Sequence, residues 1–361
     1  MSFDADIAVV GAGMAGASLA AEIAGEASVL LLEAEDQPGY HSTGRSAAFW
    51  EESYGGPLIQ PLTTASGPFL EANGFLTPRG ALHLAEEQGL AALDSLEAGF
   101  GARVAFERLD RQRLEALVPG LRPGWDSGLL EPSCADIDVA GLHQFYLIQA
   151  RRAGAKVATQ ARLLALRRES GGWRVTTAAG EFSAGILVDA AGAWADQVAA
   201  MAGAAPVGLQ PYRRTLSQLR VDPPPPPALP LVMDALGRFY FKQEAGGRLW
   251  LSPHDETACD PCDCAPEELD VALAIDRFER VVDWKVERVE RSWAGLRSFA
   301  PDRRPVYGFD PVIPGFFWFA GQGGFGIQTA PAAARLAAAL LFERDPELDP
   351  APYLPHRFAA A

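Results

Sequence analysis

The stretch Ala5-Asp6-Ile7-Ala8-Val9-Val10-Gly11-Ala12-Gly13-Met14-Ala15-Gly16 runs from a short apolar, β-branched segment into a glycine turn. Ala17 to Ile23 then reads as a helix. A second apolar run, Val29-Leu30-Leu31-Leu32, ends in Glu33, 22 residues after Gly11, with Ala34 behind it. In a βαβ unit that carboxylate stands beside the ribose of a dinucleotide. Gly11 suits the tight turn, Gly13 lets a pyrophosphate approach the backbone, and Gly16 lets helix and strand pack closely. The free N–H groups of the helix N-terminus complete an anion site. Strand, turn, helix and acid in register predict a dinucleotide-binding unit in an α/β chain.

Outward from this unit, composition sets bounds. At 361 residues the chain is too long for one simple core and suits two lobes. With 48% hydrophobic and 21% charged residues it is an ordinary folded protein. A formal net charge of -15 argues against nucleic acid or anionic lipid as the main partner, since both need basic surface. No apolar run reaches the roughly twenty residues of a membrane span. The chain enters its first strand without a cleavable leader, and a cytoplasmic location is expected. Three of the four cysteines crowd into Cys259-Asp-Pro-Cys262-Asp-Cys264, and the fourth is Cys134. A zinc site wants four ligands, the last of which would be Cys134, His254 or a distant Asp, so free thiols on a polar loop are expected, with no metal.

After Glu33, the block His41-Ser42-Thr43-Gly44-Arg45-Ser46-Ala47-Ala48 combines small, hydroxylated and basic residues, as suits backbone passing close to a charged ligand. A helix starting at Ser46 and continuing through Phe49 to Tyr54 is expected there, its positive end toward the ligand. Leu109 to Val118 has amphipathic helical spacing, Asp138 caps a helix ending at Gly154, and strand signals follow at Val157, Leu163 and Trp173 to Val175. The run Gly185 to Asp189 is a buried strand emptying into small residues that include Gly192, where an open α/β sheet accepts its ligand. Phe239-Tyr240-Phe241 and Leu249-Trp250-Leu251 flank Gly246-Gly247 as a hairpin, and Leu269 to Val282 is helical. Near the C-terminus, Phe316 to Ala320 is a strand, Gly321 to Gly326 a second glycine loop, and Ile327 to Phe342 an alanine-rich helix.

Six ordered blocks carry a resemblance: the glycine motif with Glu33, HSTGRSAA (41–48), AAGAW (190–194), GLQPxRR (208–214), WAGLRSF (293–299) and QGGFGIQT (322–329). Together they resemble the FAD-dependent D-amino-acid oxidase superfamily, and within it the bacterial D-amino-acid dehydrogenases of the D-arginine dehydrogenase type. The resemblance implies a Rossmann-like FAD domain (1–80, 140–206 and 294–361) interrupted by a mixed-sheet substrate domain (81–139 and 207–293). It implies noncovalent FAD contacts at Ala15, Glu33, 42–48, Leu163 and the loop Gly323, Gly324, Phe325, Gly326, Ile327 and Gln328.

For the substrate it implies that Arg297 anchors a carboxylate, with Arg214, Tyr54 and Tyr240 around it. A hydride then passes from the α carbon of a D-amino acid to flavin N5, and the imino acid is hydrolysed to a 2-oxo acid and ammonia. The implied specificity positions are Phe49, Glu51, Ala81 and Gly324. Relatives place an acid at Ala81 and a histidine at Phe49, so their replacement favours apolar or uncharged side chains, while Glu51 offers a negative charge from another side. The electron acceptor, quinone or O2, stays open. The alternative is a glycine or sarcosine type of amine oxidase using O2, for which Lys242 is a candidate by proximity to Tyr240.

Overall fold

The computed structural model describes residues 4–169 and 171–358. Its first sheet has eight strands, with Ala5–Val10 between Val29–Leu32 and Gly180–Asp189, all parallel. Lys156–Ala158 extends it beyond Val29–Leu32, and Phe316–Ala320 extends it beyond Gly180–Asp189. The central strands read as continuous apolar runs because both faces are covered. On one side Met14–Ile23 packs against Val139–Arg152 and Ala330–Leu341, burying Leu19 and Ile23 completely. Each such side chain contributes about 1.5–3 kcal/mol.

A second sheet of nine strands carries Ala81–Ala85, Ser127–Glu131, Tyr240–Glu244 and Arg248–Ser252. Its spine is a long antiparallel pair, Gln210–Asp222 with Lys285–Phe299. That second strand crosses residue 294, where the sequence reading put a domain boundary; its pairing with Gln210–Asp222 shifts register twice, at Gln218/Leu219 and Arg220/Val221, and continues past Ala294 to Phe299. A three-stranded sheet, Phe49–Trp50, Ala135–Ile137 and Leu76–Pro78, lies apart from both. The mixed α/β fold, the hairpin around Gly246-Gly247 and the helices near 111–117, 139–152 and 268–279 agree with the sequence reading. Asp138 caps its helix as expected, accepting from Gly141 N at 2.9 Å.

Two local expectations fail. The helix from Ser46 through Tyr54 is absent: Thr43–Arg45 is one 3-10 turn, Ser46 is extended, and Phe49–Trp50 is a strand. Ser46 Oγ accepts from Ala48 N rather than capping a helix, and Phe49 and Trp50 pair with Asp136 and Ala135. The last helix begins at Ala330 rather than Ile327, with Pro331 in its first turn. No helix among the described residues is long and apolar enough to cross a membrane.

Candidate active site

A cavity of about 700 Å³ runs from the first glycine turn to the face of the nine-stranded sheet. At its first end, Gly11 has φ +99°, and a Cβ there would lie 2.5 Å from Ala190 O. A Cβ on Gly16 would lie 1.9 Å from Gly11 O, so helix and turn touch through bare backbone. Glu33 is buried; Oε2 accepts from Ala12 N and Oε1 from Glu35 N, both at 3.0 Å. Thr43 Oγ1 reaches back to accept from Met14 N at 2.9 Å, in the first turn of the helix. A buried carboxylate past the second strand and a helix N-terminus aimed into the cavity fit an adenosine ribose and a pyrophosphate.

Most of the expected cofactor residues line this cavity: Gly11, Gly13, Ala15, Glu33, Ala34, Ser42, Thr43, Arg45 to Ala48, Leu163, Gly192, Gly323, Gly324 and Gly326 to Gln328. Gly16, Gly44 and Phe325 do not line it and act from behind. Gly44 N donates to Gly39 O, and Phe325 packs edge-on against Tyr54 and Phe299. Arg45 is committed to protein partners: its Nη1 donates to Cys264 O and Ala294 O, and its charge pairs with Asp263. Ser42 Oγ donates to Leu296 O at 2.7 Å. The 42–45 segment is therefore stitched to the strand Lys285–Phe299. The sequence reading missed Asp263, which lines the cavity on the cysteine-bearing loop; the four cysteines are free thiols.

At the other end the long strand pair sets the chemistry. Arg214 lies opposite Gly295, so Arg297 is its diagonal neighbour on the same face. Both guanidinium groups line the cavity, with Tyr54, Tyr240, Phe49 and Gly324. Arg297 Nη2 hydrogen-bonds the Tyr54 hydroxyl, and the guanidinium stands 5.7 Å from the Tyr54 ring centre and 5.5 Å from that of Phe299. A Cβ on Gly324 would lie 1.7 Å from Arg297 Nη2, so only glycine leaves the fork its place. Burial presses the Arg297 pKa down, with the Arg214 charge adding to it. An arginine stays charged even so. Its nearest carboxylate oxygen, Glu256 Oε1, is 3.4 Å from Arg297 Nη1 and equally far from Arg214 Nη2, while Glu256 also pairs with Arg303. Burial lifts the Tyr240 hydroxyl above its ordinary range and, with the two arginines, pushes His254 down to about 3. His254, packed edge-on at 5.5 Å from the Tyr240 ring, is neutral.

Three sequence expectations find no place on the cavity wall. Ala81 is buried in the sheet. Glu51 is fully buried and turned to protein partners: its Oε1 lies 3.0 Å from His83 Nε2, and Glu131 stands beside the pair. Lys242, buried, holds Asp136 Oδ1 at 2.8 Å and lies 5.1 Å from the Trp250 ring centre. His83 and Glu131 were unread because nothing local marks a pairing that only the sheet creates. Phe49 does face the cavity, 5.3 Å from the Tyr54 ring and 6.2 Å from that of Tyr240.

A family model described as FAD dependent oxidoreductase (DAO) matches residues 6–340. Over 184 residues the chain is 32% identical to a glycine oxidase of Pseudomonas aeruginosa, covering 50% of this chain and 48% of that protein. A glycine oxidase of Geobacillus kaustophilus is 25% identical over 376 residues, covering 96% of each. Its crystal structure superposes with a TM-score of 0.85 over 98% of both chains at 23% identity, and an L-proline dehydrogenase from P. horikoshii with 0.86 over 99% and 98% at 22%. The chain spans about half the length or less of several curated relatives it matches. The chain belongs to the DAO family of FAD-dependent oxidoreductases, and its cofactor is FAD.

Proposed function

We propose that this DAO-family chain oxidises the carbon–nitrogen bond of a free amino acid, preferring D-amino acids with apolar or uncharged side chains, to the 2-oxo acid and ammonia. The observation that carries the reading is the half-buried Arg297 fork, kept open to the cavity by Gly324 and flanked by Tyr54. Glu256 touches this planar fork at Nη1 alone, at 3.4 Å, and is shared with Arg214 and Arg303, so the fork remains suited to binding a substrate carboxylate.

Arg297 and Tyr54 hold the carboxylate, and the second guanidinium, Arg214, sits diagonal to the first. Two fixed positive charges beside the α-amino group disfavour its ammonium form, so the amine is held neutral, with its lone pair available. Bound FAD supplies a two-electron acceptor for the hydrogen leaving the α carbon. The aromatic wall of Phe49, Tyr54 and Tyr240 excludes water and receives the substrate side chain. No side-chain base is needed; fixed geometry and charge carry the step. Phe49 on the cavity wall supports an apolar preference, and Glu51 does not counter it, because its carboxylate is committed to His83.

The test is anaerobic. Purified protein is mixed with D- and L-leucine, D- and L-phenylalanine, D-arginine, glycine and sarcosine, and the oxidised flavin band is followed. Bleaching by D-leucine or D-phenylalanine, faster than by their L-forms or by D-arginine, is expected. The similarity to glycine oxidases favours a second reading, an O2-using oxidase of glycine or sarcosine. Bleaching by those two alone, with stoichiometric peroxide in air, would put that reading first. Lys242 is ion-paired with Asp136 and does not line the cavity, which supports a dehydrogenase.

A further inference from the structure

Behind the aromatic wall, Glu51, His83 and Glu131 bring two carboxylates and a ring nitrogen within 4.8 Å of one another. Glu131, fully buried, accepts from Glu52 N at 2.7 Å and Ser133 Oγ at 3.3 Å through Oε1, and from Ser53 N at 3.4 Å through Oε2. On the far side of the same turn, Gln328 Oε1 accepts from Glu51 N at 3.2 Å, and Gln328 Nε2 donates to Tyr54 O at 3.1 Å. Tyr54 N closes the turn on Glu51 O. Both sets of hydrogen bonds converge on one residue. Tyr54 ends a turn whose amides are clamped between a carboxylate and an amide side chain, and its hydroxyl meets Arg297.

We propose that Glu131 is a positioning residue whose ionised carboxylate grips the Glu52 and Ser53 amides and so holds Tyr54 against Arg297, and that protonation of Glu131 loosens the turn. This rests on the reading that Arg297 and Tyr54 bind the substrate carboxylate. Hydrogen bonds to an ionised acceptor are roughly twice as strong as those to a neutral one, so one proton changes the grip.

The groups facing Glu131 are Glu51 from the turn, His83 from Ala81–Ala85, and Cys134 from the loop after its own strand, with the Asp136–Lys242 pair beyond Cys134. Burial, and next the Glu51 charge, push Glu131 up to about 7, against the pull of the Ser53 side chain, the Glu52 amide and His83. Glu51 Oε2, which has no partner among the described residues, leaves that repulsion unrelieved. A raised carboxyl contributes stability that is complete below the ordinary carboxylate range and lost as pH rises through about 7. The grip on Tyr54 moves the opposite way, tightening as the pH rises. Falling stability with rising ligand affinity over one pH window is a signature that a merely structural residue does not give.

The probe is benzoate, which stays ionised throughout, titrated into the flavin-loaded protein from pH 6 to 9 and read by flavin absorbance. Affinity is expected to rise about fivefold through pH 7. In Glu131→Gln it stays at the weak limit with no step, and in Glu51→Gln the step moves to lower pH because the neighbouring charge is gone. A wild-type step in Glu131→Gln overturns the latch alone. Should Glu131→Gln fail to fold, an unshifted step in Glu51→Gln overturns it equally. Unchanged affinity in Tyr54→Phe overturns the carboxylate reading and the latch with it. A bound divalent cation found by elemental analysis, whose chelation removes the step, overturns the proton and puts a metal in its place.

Discussion

The two ends of the cavity are built by different means. The adenosine end is mostly backbone from one stretch, residues 10–48, where glycines let turn, helix and ligand approach. The proposed substrate end is side chains, those of Phe49, Tyr54, Arg214, Tyr240 and Arg297, which meet only because Gln210–Asp222 pairs with Lys285–Phe299 and the second glycine loop, through Gly324, folds over them. The first is a local object set by dihedral angles, and the second is a product of register. Damage at one end should therefore remove the cofactor, and damage at the other should spare it and remove the chemistry.

The largest effect expected is at Gly11. In Gly11→Val the side chain must occupy φ +99° with its Cβ 2.5 Å from a backbone oxygen that cannot yield. The purified variant is expected to carry essentially no flavin, read as the ratio of flavin to protein absorbance. A yellow, stoichiometric Gly11→Val would break the comparison, because the turn would then not be set by its glycine.

At the opposite end, Arg297→Ala is expected to keep its flavin and to lose about 2–4 kcal/mol of substrate binding in the transition state, roughly 30- to 1,000-fold in kcat/KM. Arg297→Lys recovers part of this, since a point charge replaces the fork. Gly324→Ala, whose Cβ would meet Nη2 at 1.7 Å, reaches the same guanidinium from the other side and should fall between them. Steady-state kinetics with the best substrate of the anaerobic panel checks all three. Flavin loss in Arg297→Ala would mean the two ends are one structural unit.

The same contrast explains what was legible in the sequence. The first βαβ unit could be read residue by residue, because the glycines and Glu33 lie within one short window and act through local geometry. The hairpin at 240–252 showed itself by alternation around Gly246-Gly247. Ser46 misled because its capping signal is local, while the winning interaction is the pairing of Phe49 and Trp50 with residues 135–136. Glu51 was placed at the substrate because its partner His83 comes from a strand 32 residues on. The Arg214 and Arg297 diagonal depends on the register of strands separated by a helix and several shorter strands, which no window of sequence contains. Those two arginines were found through the family blocks that hold them.

Thr43 tests whether the adenosine end is backbone alone. Among the described residues its Oγ1 is the only side-chain atom that accepts from the first turn of Met14–Ile23, whose N-cap Gly13 has no side chain to offer. Capping from 29 residues away does two things at once: it satisfies Met14 N and ties the 42–45 segment to the helix that faces the pyrophosphate. Losing a cap of this kind costs about 1 kcal/mol, which corresponds to roughly fivefold weaker flavin binding. Thr43→Ala should accordingly remain yellow when concentrated, release flavin on dilution about fivefold more readily than the parent, and keep the parent's substrate preference. Thr43→Ser, which retains the acceptor, should restore the parent's dissociation constant. If Thr43→Ala binds flavin as tightly as the parent, the helix end is sustained by its backbone without help. The division between a backbone end and a side-chain end would then be sharper than the Thr43 contact implies.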